Sequence, residues 1–350
     1  MTDFKEYILE HYKKYPLLKI EDVFKFIFQG AFGCEHMLPS LDTVSERICR
    51  EYKQQINSDH PLVEELSDKY CRVHLSYISQ GLSCSTLGKL FFLSAQKEDD
   101  GLFDLEKMLQ DITELTNNGL LPFSKEALEE KIYQWRENRF CALHHSDDFH
   151  SLYSPQYRVI SKKYLPFLPL FARIDTLLEK GKLTVAIDGG SASGKTTLSA
   201  LLSKLYDATV FHMDDFFLTP DMRTSQRLKE VGGNVDRERF LLEVLTPLSK
   251  DIPVSYRPFN CSTGKLMDAS LIVPKKLVIV EGAYSMHPEL SSFYGLSAFL
   301  DIDKDKQHNR ILKRNTPFLA NRFFNEWIPL ENVYFEKTQI KKRCDLVITV

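Results

Sequence analysis

The chain has no long apolar run. Its first stretch, Met1 to Lys14, mixes acids and bases around isolated apolar residues, and the apolar segment near Leu165 is interrupted by Pro166, Pro169 and Arg173. Neither a signal peptide nor a membrane span is expected, which predicts a cytoplasmic protein without a membrane partner. An excess of one charge is also missing: 45 basic against 48 acidic residues leave a formal net charge of -3. Nothing in that balance calls for nucleic acid, so a small molecule is the expected partner. Association with copies of itself into a homo-oligomer is left open.

Closely spaced cysteines are absent. The seven present, Cys34, Cys49, Cys71, Cys84, Cys141, Cys261 and Cys344, are dispersed, odd in number and contain no C-x-x-C pair. Neither a disulfide framework nor a zinc site is expected, and a reducing compartment fits. No H-x-x-x-H or H-E-x-x-H spacing points to a histidine metal site. No N-K-x-D or L-S-G-G-Q stretch occurs, which counts against GTPase switches and transporter ATPases. Internal repeats and low-complexity tracts are likewise missing.

What is present is a globular composition, 43% apolar and 12% aromatic over 350 residues, long enough for two cores. Residues 1–165 read as an α-helical domain. Val23, Phe24, Ile27 and Phe28 form one helical stripe, and Leu102, Leu105, Met108, Leu109, Ile112 and Leu115 form another that Asn117-Asn118-Gly119 ends. Ser124 predicts the cap of a helix carrying Leu128, Ile132 and Trp135. Polar residues interrupt this half at Gln29 to His36, Arg72-Val73-His74, His144 to Asp148 and Tyr157-Arg158, and could line a pocket. Residues 166–181 read as a linker and helix, with Pro166 and Pro169 ahead of Phe171 to Leu178 and Gly181 closing the helix.

The organising stretch of the chain comes next. Gly189-Gly190-Ser191-Ala192-Ser193-Gly194-Lys195-Thr196 has the spacing G-x-x-x-x-G-K-[ST], preceded by the strand-like Leu183 to Ile187 and followed by Leu198, Leu201, Leu202 and Leu205 at helical spacing. Its glycines let the backbone wrap a phosphate, so that N–H groups and the positive end of a helix face the anion. Lys195 is then expected at the β/γ-phosphates and the Thr196 hydroxyl on Mg²⁺.

Further strands end in carboxylates. Ala208 to Phe217 delivers Asp214 and Asp215 at its C-terminal end, the edge where ligands bind in open α/β sheets. Asp236 opens a helix, and a cap alone would account for it. Ile252 to Asn260 reads as an edge strand because of its prolines, with Ser270 to Val273 as its partner. Leu277 to Val280 is the most hydrophobic strand and ends in Glu281, a candidate metal or water ligand opposite the loop. Ser297 to Ile302 and Asp345 to Ile348 are two more strands. Arg310 and Arg314, spaced i,i+4, with Arg322 beyond, predict a lid of cationic groups over a phosphate chain.

In this order, Gly189 to Thr197, His212 to Phe217, Asp236 to Phe240, Val254-Ser255-Tyr256, Val280-Glu281-Gly282 and Asp301-Ile302-Asp303 with its arginines, residues 182–350 resemble the uridine kinase and phosphoribulokinase family of P-loop kinases. The resemblance implies an α/β P-loop kinase domain, a mostly parallel sheet with helices on both faces, preceded by the α-helical domain. It implies ATP and Mg²⁺ as cofactors and a nucleotide site of Gly189, Gly190, Ser191, Ala192, Ser193, Gly194, Lys195, Thr196 and Thr197 with Arg310, Arg314 and Arg322. Asp214 matches the carboxylate that takes the acceptor's proton, with Lys195 as its catalytic companion. Asp236, Tyr256 and Arg257 fall in the acceptor pocket, and Thr196, Asp214 and Glu281 at the metal.

Two departures bear on the acceptor. Asp215-Phe216-Phe217 follows Asp214 where the family commonly has Ser-Phe-Tyr, and Asn260-Cys261 stands where uridine kinases place a pyrimidine-reading histidine. Both weaken uridine as the acceptor without touching phosphoryl transfer. The leading expectation is a phosphotransferase acting on a hydroxyl of a small molecule, a nucleoside or another sugar-like alcohol. Two alternatives remain: a nucleotide-driven regulatory ATPase whose helical domain binds a protein, and a bifunctional enzyme with a second site around His74, His144 and Arg158.

Overall fold

The computed structural model describes residues 4–34, 40–54, 61–95 and 101–350. The chain divides into two compact units, residues 1–172 and 173–350, and the division falls inside the helix Leu168–Lys180.

The first unit is mainly helical. Val23, Phe24, Ile27 and Phe28 on the helix Ile20–Phe32 are buried, as are Leu105, Met108, Leu109, Ile112 and Leu115 on Leu102–Asn117. Leu102 departs from its predicted stripe and stays exposed, because it is the first residue of its helix. Both stripes share one core with Leu128, Ile132 and Trp135 of the helix Lys125–Glu137, where Trp135 stacks on Phe24 at 4.8 Å between ring centroids. Ser124 caps that helix by accepting a hydrogen bond from the Ala127 N–H at 3.2 Å.

This unit also contains a sheet that its sequence pattern does not announce. Strands β1 (Val63–Glu65), β2 (Tyr70–His74) and β3 (Tyr157–Ser161) pair antiparallel in the order β1-β2-β3, with Arg72 opposite Val159 and His74 opposite Tyr157. The strands are short, and β2 carries Arg72 and His74 at buried positions, so the usual apolar-in, polar-out alternation is broken. A second departure concerns cysteine. Cys49 on the helix Leu41–Lys53 and Cys84 at the start of Cys84–Ser94 form a disulfide with their Cα atoms 5.6 Å apart. The expectation of no disulfide fails because the packing of two helices pairs residues 35 apart in sequence.

The second unit is built on strands β4 (Leu183–Gly189), β5 (Thr209–His212), β6 (Val254–Tyr256), β7 (Phe259–Asn260), β8 (Lys265–Leu266), β9 (Ser270–Ile272), β10 (Leu277–Glu281), β11 (Leu296–Asp301) and β12 (Leu346–Thr349). Five of them make a parallel sheet in the order β12-β11-β4-β10-β5. Burial along the whole of β10 explains its unbroken aliphatic run. The expected hairpin forms as β6 with β9, Val254 lying opposite Ile272. The register of the parallel sheet brings the acid-bearing strand ends together: Glu281 pairs with Ile187 on one side and His212 on the other, so the C-terminal ends of β4, β10 and β5 lie side by side. Among the described residues no helix is long and apolar enough to cross a membrane.

Candidate active site

The chain leaves β4 at Gly189 and enters the helix Lys195–Tyr206 at Lys195, with Gly190 to Gly194 as the turn between them. Gly189 takes φ +147, and a Cβ there would meet the Leu300 carbonyl oxygen at 2.6 Å, so only glycine fits. Gly194 takes φ +101 as the residue before the helix. The turn thus lies against the positive end of a 12-residue helix. Lys195 Nζ donates to the carbonyls of Gly189 and Gly190 at 2.8 and 2.9 Å, which holds the ammonium over the loop. Among the described residues Ser193 Oγ is buried without a hydrogen-bond partner. A wrapped backbone, a cation and an orphaned hydroxyl fit a phosphate group.

Beside the loop, the Thr196 hydroxyl donates to Glu281 Oε1 at 3.1 Å, and His212 Nδ1 meets the same oxygen at 2.5 Å. The hydrogen bond to Glu281 raises the His212 pKa, more than burial lowers it. Asp214, two residues on, is accessible at the surface, yet the protein around its carboxyl withholds enough water to push its pKa up. Lys195 opposes that rise and Glu281 adds to it, so these charges are within reach of one another. Thr196, Glu281 and Asp214 offer hard oxygen donors of the type Mg²⁺ takes. Among the described residues no group of three or more His, Cys, Asp or Glu converges on one point. Mg²⁺ at a phosphate does not need such a group, because it keeps several waters and uses one or two protein oxygens.

The second carboxylate of the pair is already engaged. Asp215 Oδ2 accepts from the buried Tyr256 hydroxyl at 3.0 Å, and its backbone carbonyl accepts from Arg239 at 2.8 Å. Asp236 is buried, caps its helix by accepting from the Arg239 N–H at 3.1 Å, and binds the Arg239 guanidinium at 3.2 Å. Arg239 in turn lies 4.3 Å over the Phe216 ring and donates to the Arg257 carbonyl at 2.6 Å. Arg257 itself points its guanidinium to Glu243 at 2.8 Å. Tyr256, Asp215 and Asp236 thus belong to one polar network beside Asp214, while Arg257 is spent on an exposed ion pair.

Of the three arginines read as a lid, Arg310 reaches the loop, donating to the Ala192 carbonyl at 3.1 Å. Arg314 is exposed, and Arg322 pairs with Glu326 at 2.8 Å and covers the Trp327 ring at 4.9 Å.

Three residues at the loop were not singled out from the sequence. Asp188, wholly buried, accepts from the Gly189 N–H at 2.7 Å, the Met286 N–H at 3.0 Å and the Tyr334 hydroxyl at 2.8 Å. Burial pushes its carboxyl up to about 6 against those hydrogen bonds. Glu331 accepts from the Ser191 N–H and hydroxyl, and Gln307 donates to the Ser191 carbonyl at 2.8 Å. For Asp188 a signal existed, an acid at the end of a buried strand directly before the loop. For Glu331 and Gln307, more than a hundred residues from the loop, there was none.

No family model matches the chain, and no curated protein matches it. Solved structures do. A "possible uridine kinase" from Bacillus stearothermophilus is similar at 23% identity and a TM-score of 0.39, covering 51% of this chain and 98% of that one. A protein assigned as a fructose transport system kinase, from a Silicibacter species, gives 22% identity and 0.38 over 48% of this chain and 89% of its own. Shikimate kinase from Aquifex aeolicus gives 18% and 0.25, over 48% and 85%. The parallel sheet and the phosphate loop stand on their own geometry. The second unit is an α/β fold, a five-stranded parallel sheet whose strand β4 runs through a glycine-rich turn into the helix Lys195–Tyr206.

Proposed function

We propose that the second unit is an ATP- and Mg²⁺-dependent kinase that moves the γ-phosphoryl group to a hydroxyl of a small polar molecule, a nucleoside or another sugar-like alcohol. The observation that carries this reading is the meeting, at one sheet edge, of the loop after β4, the Thr196–Glu281 pair at 3.1 Å and Asp214. A bare nucleotide switch would not require the free carboxylate.

Each residue then has a task. The loop N–H groups and Lys195 offset phosphate charge, and Arg310, already on the loop, is placed to add to them. Thr196 and Glu281 would hold Mg²⁺, which when bound would supply further neutralisation of the transferred group. Asp215 is tied to Tyr256, whereas Asp214 makes no hydrogen bond among the described residues. Asp214 therefore accepts the acceptor's hydroxyl proton as the oxygen attacks the γ-phosphorus and ADP leaves. A raised carboxyl pKa makes it a better proton acceptor than an ordinary aspartate. The β7–β8 turn, where Cys261 feels the Asp214 charge, supports an acceptor pocket bordered by Asn260 and Cys261.

The test is an ADP-release screen with the full chain over nucleosides, sugars, vitamins and amino-alcohols. Release that depends on one class of alcohol supports the kinase and names its acceptor. ADP release at equal rate with and without every alcohol overturns it in favour of a regulatory ATPase.

A further inference from the structure

The first unit contains a cavity of 370 Å³, a volume within the range of small-molecule sites. Two sequence features left without a role meet there: His144 and Arg158 both line it, while His74 is buried edge-on behind the Tyr157 ring at 5.8 Å. Phe28, Val44, Phe91, Leu143 and Val159 make an apolar wall. The polar wall is cationic: it includes Lys25, Arg47 and Arg158, and among its described residues there is no carboxylate.

Among the described residues, the cations of this wall outnumber the acids paired with them. Glu51, outside the wall, accepts from both Arg47 at 2.8 Å and Arg158 at 2.7 Å, so two guanidiniums share one acid. Lys25 has a carbonyl as its partner, donating to Leu143 at 2.9 Å, and no carboxylate lies within ion-pair distance among the described residues. Burial and the nearby Arg72 accordingly lower its pKa to about 8. A half-buried ammonium, in a cavity wall that also carries two guanidiniums sharing one acid, is stabilised by an anion.

The same wall is held rigid from behind. The Asp22 carboxylate accepts from the Lys19 N–H at 2.9 Å, the Ser146 N–H at 2.9 Å, the Ser146 hydroxyl at 2.8 Å and His145 Nδ1 at 3.2 Å. That bond selects the His145 tautomer whose Nε2 accepts from the Tyr157 hydroxyl at 2.7 Å. Arg72, fully buried, binds Gln29 at 2.8 and 2.9 Å and Glu64 at 2.8 Å, and lies 4.4 Å over the Tyr157 ring. Gln29, His145 and Tyr157 therefore face the cavity in fixed orientations, the preorganisation a specific site needs.

We propose that this cavity binds a small organic anion, an acidic group on an apolar or aromatic body, independently of the phosphate loop. Lys25 and Arg158 would take the acid, Phe28 and Phe91 the body.

The experiment uses the full chain and calorimetric titration with 1-naphthoate, benzoate, phenyl phosphate and naphthalene-1-sulfonate, each against its uncharged analogue. Binding of at least one anion with 1:1 stoichiometry, weakened about tenfold or more in the neutral analogue and in Lys25→Met, is the expected result. Lys195→Ala should leave that binding unchanged, which separates this site from the loop whether or not the kinase reading holds. No measurable binding of any of the four, equal binding of anion and neutral analogue, or loss of binding in Lys195→Ala overturns the proposal. Should Lys25→Met fail to fold, the selectivity of the native chain for anion over neutral analogue decides.

Discussion

The Glu331 carboxylate accepts two hydrogen bonds from a single residue of the phosphate loop, the Ser191 N–H at 2.8 Å and the Ser191 hydroxyl at 2.6 Å. Glu331 is buried on the helix Ile328–Thr338, and burial raises its pKa against the pull of Lys195 and of these bonds. A helix near the end of the chain thereby fixes the loop after the first strand of the sheet. Removing the acceptor in Glu331→Ala strands the Ser191 donors, and stability should fall by about 1–3 kcal/mol. Urea titration checks this: a lower midpoint at unchanged slope is expected. An unchanged midpoint would mean that the pair contributes nothing to the loop.

Asp188 gives a pH signature. Its folded pKa of about 6 lies above the ordinary 3.8, so the folded state holds the proton more tightly than the unfolded one. The contribution of this acid to stability is therefore full below the unfolded pKa and is lost as pH rises through the folded one. The span corresponds to about 3 kcal/mol between roughly pH 4 and 6. Denaturant midpoints measured across that window should fall with pH in the native chain, and fall less steeply once Asp188→Asn removes the titrating group. Identical profiles in the two chains would refute the assignment.

Asp214→Asn keeps the size of the side chain and removes the carboxylate proposed as the base. Acceptor-dependent ADP release should drop by roughly 10²–10⁴-fold while ATP affinity, measured by equilibrium titration, stays within about twofold. Turnover at the native rate would take the proton-accepting role away from Asp214.

The Cys49–Cys84 disulfide closes a loop across 35 residues. Loop-closure entropy puts its stabilisation at about 3–4 kcal/mol. Thiol titration of the unfolded, unreduced chain should find the five free cysteines, Cys34, Cys71, Cys141, Cys261 and Cys344. Reduction should lower the melting temperature of the first unit, whereas a count of all seven thiols would show that the bond does not form.

Much of the second unit was legible because its signals are local. The glycine spacing of the loop, the aliphatic run of β10 and the capping role of Asp236 each depend on residues within a few positions of one another. The first unit was less so. Its helical stripes read correctly apart from Leu102, but β2 pairs with β3 across more than eighty residues and carries a buried arginine, so periodicity had nothing to detect.

The amino-acid order alone determined which strand ends carry acids and where the glycine-rich turn lies, since aliphatic runs and glycine spacing are local features of the chain. Only the tertiary structure decided that Asp215 is bound to Tyr256 and Asp214 is not, that Arg310 reaches the loop while Arg322 turns to Glu326, and that Glu331 holds Ser191. It also decided that Lys25 and Arg158 share a cavity. Those outcomes depend on which distant side chain arrives to satisfy a buried charge or donor, and the folded arrangement sets that partner.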